Sequence, residues 1–341
     1  MRAPPSSASA RSWTKPGCCE QRGRSAACSD AGFRRNQNHS RDYRGEVAAF
    51  RHSPERAASR LAHRPHPARL GAQTVLKSAL DLADGVLREF SNSSPTPQQP
   101  VAVGIASAGV IDPVRGIVTH ATDALPGWPG TDLAGAFSAR FGIPAAALND
   151  VHAHGLGEAR FGAGRGTQDM LLVAVGTGIG GCIVAGERLV IGNHHAAAHV
   201  GHIPVPEAND VLCSCGRTGH LEGLASGPGI HAAYQRAGGQ AADTREIAAR
   251  AAQGEELART TITISAFATG RAIGGLLNVL DPDLVVLTGG VAGIGPLWRT
   301  AVTEGITYDA MDVVAHTPIC DATAGVEAAL LGAAAWALDR L

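Results

Sequence analysis

Four side chains of the types that bind zinc lie close together in the second half of the chain. The segment HVGHIPV is followed by CSCGRTGHLE. Tetrahedral zinc takes two thiolates and two imidazoles, or a near variant of that set. Further histidines at positions 194, 195 and 199 leave the ligand count open, and free core thiols with surface histidines are the alternative. The predicted zinc ligands are His202, Cys213, Cys215 and His220.

A glycine-rich segment could bind phosphate. In VAVGTGIGGCIV the missing side chains let backbone N–H groups surround a phosphate. No Gly-Lys-Ser/Thr follows, as in a Walker A loop, and the next element is a strand, unlike a dinucleotide-binding fingerprint. A tight hairpin without a ligand is the alternative. The candidate residues are Gly176, Thr177, Gly178, Gly180 and Gly181.

Two further segments end strands with residues suited to chemistry. ALND places Asp150 where a strand gives way to a helix, and a carboxylate held there can accept a proton from a hydroxyl that attacks phosphorus. An ordinary helix N-cap is the alternative. LVVLTGGVAG ends a strand at Gly289 and Gly290, where ligands bind in α/β folds, although a tight turn would look the same.

The elements that position these residues alternate between strand and helix. Apolar spacing predicts helices over 74–90, 130–142 and from residue 150, and strands over 100–112, 143–150, 170–175 and 182–186. A long helical stretch over 244–280, broken near Gly254, precedes the strand that ends in Gly289, and an Ala-rich helix closes the chain. This alternation predicts an α/β fold with two lobes.

Composition narrows the class of protein. The chain has 341 residues, of which 45% are hydrophobic and 17% are charged, and its net charge is -1. This balance argues against a nucleic acid or an anionic membrane as partner. The seven cysteines are scattered and odd in number, unlike a disulfide framework, and no long apolar run suggests a membrane span. We expect a soluble cytoplasmic protein.

The first 70 residues differ from the rest of the chain. They are rich in Arg, Ser, Pro and His and show almost no apolar periodicity, so we expect them to be largely disordered. A shifted reading frame or a wrong start codon in a GC-rich gene would give such a segment. A transit peptide is also rich in Arg and Ser, but this segment is long and has no amphipathic pattern.

In this order, the segments resemble the ROK family of bacterial sugar kinases and sugar-responsive repressors, with motifs nearest those of its N-acetylmannosamine kinases and glucokinases. The resemblance begins near Gln73 and rests on IASAGVID, LPGW, ALND, GEARFG, VGTGIGG, H-x-G-H, C-x-C-G-x-x-G-x-L-E and VLTGGVAG. It implies the actin-like ATPase (ribonuclease H-like) fold, with the first strands of the N-terminal lobe missing. Residues 71–118 and the C-terminal helix 324–341 would form that lobe, and 119–323 the other.

The resemblance also implies roles for single residues. Asp150 would be the general base that deprotonates the sugar 6-hydroxyl. The residues 176–181 would hold the phosphates of ATP, Mg²⁺ would be a cofactor that accompanies ATP, and Gly289 with Gly290 would border the adenosine. A structural Zn²⁺ would support the sugar pocket without taking part in the chemistry, and a homodimer is expected. The sugar contacts would be Gly109, Asn149, His199, His202 and Glu222.

Four departures from the family pattern bear on function. Ala124, with Asp123 beside it, replaces the asparagine that the family has just before Leu-Pro-Gly-Trp as a sugar contact. The sequence contains no Asp-x-Gly-Gly-Thr phosphate loop. His220 replaces the third zinc cysteine, and His199 replaces a glutamate, a change associated with N-acetylmannosamine kinases. The first hypothesis is therefore a kinase for N-acetylmannosamine or, second, for glucose, impaired by the missing loop. The alternatives are a sugar-binding protein without catalysis and a transcriptional regulator, although residues 1–70 are too poor in Leu, Ile and Val for a winged helix.

Overall fold

The computed structural model describes residues 44–48, 61–65, 71–92, 100–122 and 125–341. In the first two of these ranges, β1 (Arg44–Ala48) pairs antiparallel with β2 (Leu61–Pro65). Apart from these ten residues, the segment that we expect to be disordered, 1–70, lies outside the described part of the chain. Asp123 and Ala124, at the position of the replaced sugar contact, also lie outside the part of the chain that the structure describes.

A small parallel sheet carries the first candidate site residues. It joins β3 (Val103–Ser107) to β6 (Ala145–Asn149), and beside it lies a hairpin of β4 (Val110–Asp112) and β5 (Ile117–His120). The helices α1 (Ala72–Asn92) and α2 (Leu133–Phe141) belong to the same part of the chain. The sheet that contains β3 thus reaches Asn149, and the lobe boundary at residue 118 stays a prediction.

A larger sheet has five strands in the order β11-β10-β7-β8-β9. Its first three strands run parallel, whereas β8 is antiparallel to β7 and β9 is antiparallel to β8. Both faces are buried, so that alternate residues of β7 enter two different hydrophobic clusters. The strands are β7 (Met170–Val175), β8 (Ile179–Ala185), β9 (Arg188–Leu189), β10 (Leu284–Thr288) and β11 (Ile319–Asp321).

Six α-helices follow the metal-ligand segment, and most of the first five cover one face of the larger sheet. The predicted break near Gly254 is present, since this glycine has φ +94° between α6 and α7. Among the described residues, α7 is the one helix long and apolar enough to span a membrane, but 56% of its most apolar window is buried inside the protein. The five are α4 (Leu221–Ala225), α5 (Gly227–Arg236), α6 (Thr244–Ala252), α7 (Glu256–Leu280) and α8 (Pro296–Asp309).

Two helices pack closely on the other side, and this contact depends on glycine. They are α3 (Asp150–Phe161) and α9 (Ala328–Leu338). A Cβ at Gly332 would lie 1.8 Å from the Ala153 carbonyl oxygen, and one at Gly157 would lie 2.0 Å from that of Ala328. Because α9 also contacts β3 and β6, it holds the small sheet against the helix that begins at Asp150.

Candidate active site and metal centre

Asn149 and Gly109 meet where the two strands of the small sheet end. Asn149 is paired with Ser107 in the sheet, and its Nδ2 donates to the Gly109 carbonyl oxygen at 2.9 Å. Gly109 has φ +99°, and an added Cβ would lie 2.6 Å from the His120 carbonyl oxygen. The turn at Gly109 therefore needs glycine, and its predicted sugar contacts would come from the backbone.

Asp150 is the first residue of α3, and Asn149 is the N-cap, accepting from the backbone N–H groups of Val151 and His152. Oδ1 of Asp150 accepts from the Val151 N–H and from Asn149 Nδ2, both at 3.0 Å. The residue as a whole is exposed to solvent, whereas its carboxyl group is desolvated by the surrounding protein. Desolvation in this position raises the pKa of Asp150, which the hydrogen bond from Val151 opposes in part.

The turn within the predicted phosphate-binding segment is shorter than expected. The turn occupies residues 176–178, here called the glycine turn, and β8 begins at Ile179 instead of Cys182. Gly180 and Gly181 therefore lie in the strand, opposite Ala174 and Val173. Their missing side chains serve packing, since a Cβ at Gly180 would lie 3.0 Å from Val151 Cγ2 and one at Gly181 would lie 2.8 Å from the Ala198 carbonyl oxygen.

Gly289 and Gly290 lie beside the glycine turn. Gly289 has φ +97°, and a Cβ there would lie 2.3 Å from the Val175 carbonyl oxygen. The added Cβ of Gly176 would lie 3.9 Å from the Gly290 nitrogen. The carboxyl ends of β7 and β10 thus bring both glycine segments together, where ligands of α/β folds bind.

The four predicted metal ligands come together. One ligand atom from each of these side chains lies within 4.8 Å of the other three. Sγ of Cys213 is 3.7 Å from His202 Nδ1, and Sγ of Cys215 is 3.2 Å from His220 Nδ1. In a tetrahedral zinc site, bond lengths of about 2.3 Å to sulfur and 2.0 Å to nitrogen place neighbouring ligand atoms roughly 3.3–3.8 Å apart. The donor set therefore fits zinc, and the two sulfur–nitrogen distances lie at or near this range, within a group whose ligand atoms are up to 4.8 Å apart.

Backbone hydrogen bonds shape the segment 213–220, here called the metal loop. The Cys213 N–H donates to the Arg217 carbonyl oxygen at 2.8 Å, and the Gly216 N–H donates to that of Cys213 at 2.9 Å. An isolated bridge between His220 and Pro204 joins the loop to the segment that carries His202. Burial lowers the pKa of His202, which favours the neutral imidazole that a metal requires.

Glu222 lies between the metal loop and the glycine turn. Its Oε2 accepts from the Ile179 N–H at 2.8 Å, and its Oε1 accepts from Ser214 Oγ. A Cβ at Gly178 would lie 2.9 Å from Glu222 Oε2. The carboxylate that is predicted to bind sugar is thus also a link between two loops.

His199 stands next to the metal ligands without belonging to their group. Its ring is stacked on that of His202 with centroids 6.2 Å apart, and it meets the edge of the His152 ring at 6.4 Å. His199 Nδ1 lies 3.0 Å from the Ala196 carbonyl oxygen. His199, which is predicted to contact the sugar, therefore lies directly beside His202, which is predicted to bind the metal.

Sequence reasoning missed several residues that support this site. Trp128, which served only as part of a family motif, is buried and donates from Nε1 to Ala108 O at 3.1 Å and to Ser107 Oγ at 3.2 Å. It therefore holds the strand end that leads into Gly109. A lone tryptophan in a segment rich in Gly and Pro is the signal that could have indicated this role.

Glu158 was missed in the same way. It is fully buried, and its carboxylate accepts from the backbone N–H groups of Ala163, Thr323 and Ala324 at 2.8–3.0 Å. His154, one turn earlier on α3, lies 3.9 Å from Glu158 Oε1 and 3.4 Å from Thr288 Oγ1. These contacts fix the far end of the helix that begins at Asp150.

The chain is similar to proteins named as sugar kinases. It is 32% identical to the glucokinase of Thermotoga maritima over 254 residues, which cover 70% of this chain and 80% of that protein. It is 34% identical to the N-acetylmannosamine kinase of Shigella boydii over 286 residues, covering 76% of this chain and 94% of that protein.

Solved structures show the same fold. The ROK hexokinase of Thermus thermophilus matches with a TM-score of 0.72 and 28% identity, covering 82% of this chain and 90% of the other. The ROK glucokinase of Streptomyces griseus in complex with glucose and AMPPNP matches with a TM-score of 0.69 and 27% identity. This match covers 87% of this chain and 99% of the glucokinase chain. The prediction of an actin-like ATPase fold is confirmed. Since the ROK family model also matches residues 72–340, this chain belongs to the ROK family.

Proposed function

We propose that this protein is an ATP-dependent sugar kinase that transfers the γ-phosphate to the 6-hydroxyl of a hexose or an N-acetylhexosamine. N-acetylmannosamine is the first expected substrate and glucose the second. The relatives named as glucokinase and N-acetylmannosamine kinase support this class of reaction. A location in the cytoplasm and a homodimer stay predictions.

The observation that carries the proposal is the position of Asp150. Desolvation raises the pKa of its carboxyl, although the residue keeps some exposure to solvent. The next residue, Val151, lies against Gly180 in β8, two residues beyond the glycine turn. A hydroxyl held between Asp150 and a phosphate at the glycine turn could lose its proton to the carboxylate as it attacks. A raised pKa also makes the ionised carboxylate of Asp150 a stronger base than an ordinary aspartate, which favours proton transfer from the sugar hydroxyl.

The sugar would lie among side chains and backbone groups that already face one another. Asn149 lies against the turn at Gly109, Glu222 lies beside Gly178, and His199 stacks on His202. ATP would bring Mg²⁺ with its phosphates and would extend along the glycine turn toward Gly289 and Gly290. The four metal-ligand residues would hold Zn²⁺, whose chemistry is structural, since it fixes the loop that leads to Glu222.

A second candidate function is sugar binding without phosphoryl transfer. The observation that favours it is the absence of an Asp-x-Gly-Gly-Thr segment from the sequence. Such a loop would supply phosphate and magnesium contacts that stabilise the transition state. Both candidate functions predict sugar binding, but only the kinase predicts turnover of ATP and sugar.

A coupled assay of ADP release tests the proposal. Purified full chain is supplied with ATP, Mg²⁺ and N-acetylmannosamine, N-acetylglucosamine or glucose, and the product is identified by phosphorus NMR. We expect ADP only when a sugar is present, together with a 6-phosphate ester. Sugar binding by calorimetry with no ester would favour the second candidate, and no binding of any hexose would contradict both.

A further inference from the structure

Ser214 lies between the two cysteines of the metal loop, and its hydroxyl contacts the carboxylate of Glu222. Ser214 Oγ donates to Glu222 Oε1, and it lies 3.9 Å from the sulfur of Cys213. A hydroxyl that donates to a carboxylate makes a charge-assisted hydrogen bond, which is stronger than one between neutral groups. The residue between two metal ligands thus holds the carboxylate predicted to bind sugar.

The other oxygen of the same carboxylate is held from the opposite side. Oε2 of Glu222 accepts from the Ile179 N–H at 2.8 Å, at the point where the glycine turn enters β8. Sγ of Cys213 also lies 4.0 Å from Oε1. A carboxylate accepts up to about four hydrogen bonds, so at least one site remains for a sugar once the protein donors are in place. These donors fix the direction in which the remaining sites point.

We propose that Ser214 is a positioning residue that couples the metal loop to Glu222 and, through Glu222, to the glycine turn. Because its neighbours Cys213 and Cys215 would both bind the metal, ligation fixes the backbone of Ser214 and therefore the place of its hydroxyl. Glu222 then cannot rotate away from Ile179 or from the sugar. The part of this proposal that concerns sugar rests on the proposed function, in which Glu222 contacts the sugar.

The test compares Ser214→Ala with Ser214→Thr, which keeps a hydroxyl, and with Thr218→Ala, which removes an exposed hydroxyl from the same loop. In Ser214→Ala we expect hydrogen exchange in a peptide spanning 176–183 to rise about 5- to 30-fold, because the Ile179 N–H loses a fixed acceptor. Affinity for N-acetylmannosamine, measured by calorimetry, falls by a similar factor. Zinc stays stoichiometric by elemental analysis. In Ser214→Thr and in Thr218→Ala, hydrogen exchange over 176–183 and the affinity for N-acetylmannosamine should both match those of the parent.

Two results would overturn the proposal. Unchanged exchange over 176–183 in Ser214→Ala would show that the hydroxyl does not hold Glu222 against Ile179. Loss of zinc in this variant would show that Ser214 stabilises the metal loop itself. A parent that binds no hexose contradicts the proposed function instead, and the exchange and zinc measurements then decide the role of Ser214 by themselves.

Discussion

The Ala196 carbonyl oxygen lies 3.0 Å from His199 Nδ1. A carbonyl can only accept, so Nδ1 of His199 carries the proton and donates it, and in the neutral ring Nε2 is left as an acceptor. At this position the chain therefore offers a sugar one acceptor and no negative charge. A glutamate in its place would offer two charged oxygens to adjacent hydroxyls.

The first prediction is that His199→Glu shifts sugar preference toward glucose by about 1–3 kcal/mol, the usual effect of one polar contact made or left unpaired. The parent should prefer an N-acetylated hexosamine, in which an amide replaces one hydroxyl. Calorimetry with glucose and N-acetylmannosamine on both proteins measures the shift. His194→Glu places the same charge on an exposed residue of the same loop and should leave the preference as it is. Equal relative affinities in parent and His199→Glu would remove His199 from the sugar site.

Asp150→Asn should lower kcat by about 10²–10⁴-fold, the range for loss of a general base, while sugar affinity is kept. The matched control is Asp132→Asn, since Asp132 caps α2 by accepting from the Gly135 N–H at 2.8 Å and lies in another helix. This control should turn over like the parent. If the parent is active and Asp150→Asn keeps full activity, Asp150 is not the general base and only stabilises the start of α3.

The rate should also depend on pH through Asp150. The base works only when it is ionised, and desolvation raises the pKa of this carboxyl. Turnover should therefore fall as pH is lowered, and the fall should begin at a higher pH than an ordinary aspartate with a pKa of about 3.9 would give. A kcat/KM profile measured from pH 8 to pH 4 checks this. A profile that falls only where an ordinary aspartate would be protonated, or that does not fall at all, would contradict a general base with a raised pKa.

Removal of the metal should cost stability more than chemistry. We expect stoichiometric zinc in the purified protein, and Cys213→Ala should lose it and lower the free energy of unfolding by roughly 2–5 kcal/mol. Cys320→Ala, a cysteine of β11 outside the group of four ligands, should keep zinc. Elemental analysis and urea unfolding measure both effects. Protein that carries no zinc while it is fully folded would contradict the site.

Acid should destabilise the protein through His152. This histidine is buried, its Nε2 lies 2.9 Å from the Ala197 carbonyl oxygen, and desolvation lowers its pKa. The unfolded chain binds a proton near pH 6.5, whereas the folded chain does so only at lower pH. The free energy of unfolding should therefore decrease as pH falls below about 6.5, until the folded pKa is reached.

Comparison with His152→Gln isolates this contribution. Glutamine does not titrate and can still donate a hydrogen bond, so the variant should lose less stability than the parent between pH 7 and pH 5. Urea unfolding at pH 7, 6 and 5 measures how steeply the free energy of unfolding changes with pH in the parent and in the variant. Equal slopes would mean that other groups, such as His154, carry the pH dependence.

Much of the fold followed from the sequence because its signals are local. Apolar spacing predicted the helix that the structure shows as α1, and a glycine predicted the break between α6 and α7, since both depend on residues a few positions apart. The four metal-ligand side chains are also near in sequence, and their clustering was predicted. The start of β8 was placed three residues too late, because glycine spacing does not distinguish a turn from a strand packed tightly against Val151.

The sequence by itself determined the α/β alternation, the family motifs and the set of chemically capable residues. Only the tertiary structure decided which of them touch. Glu222 accepts from Ile179, 43 residues earlier, and Asn149 donates to Gly109, 40 residues earlier. Such pairs arise when separate strands and loops pack together, and no local periodicity encodes their distance. The proton on His199 Nδ1 was decided in the same way, because it depends on where the folded loop places the Ala196 carbonyl.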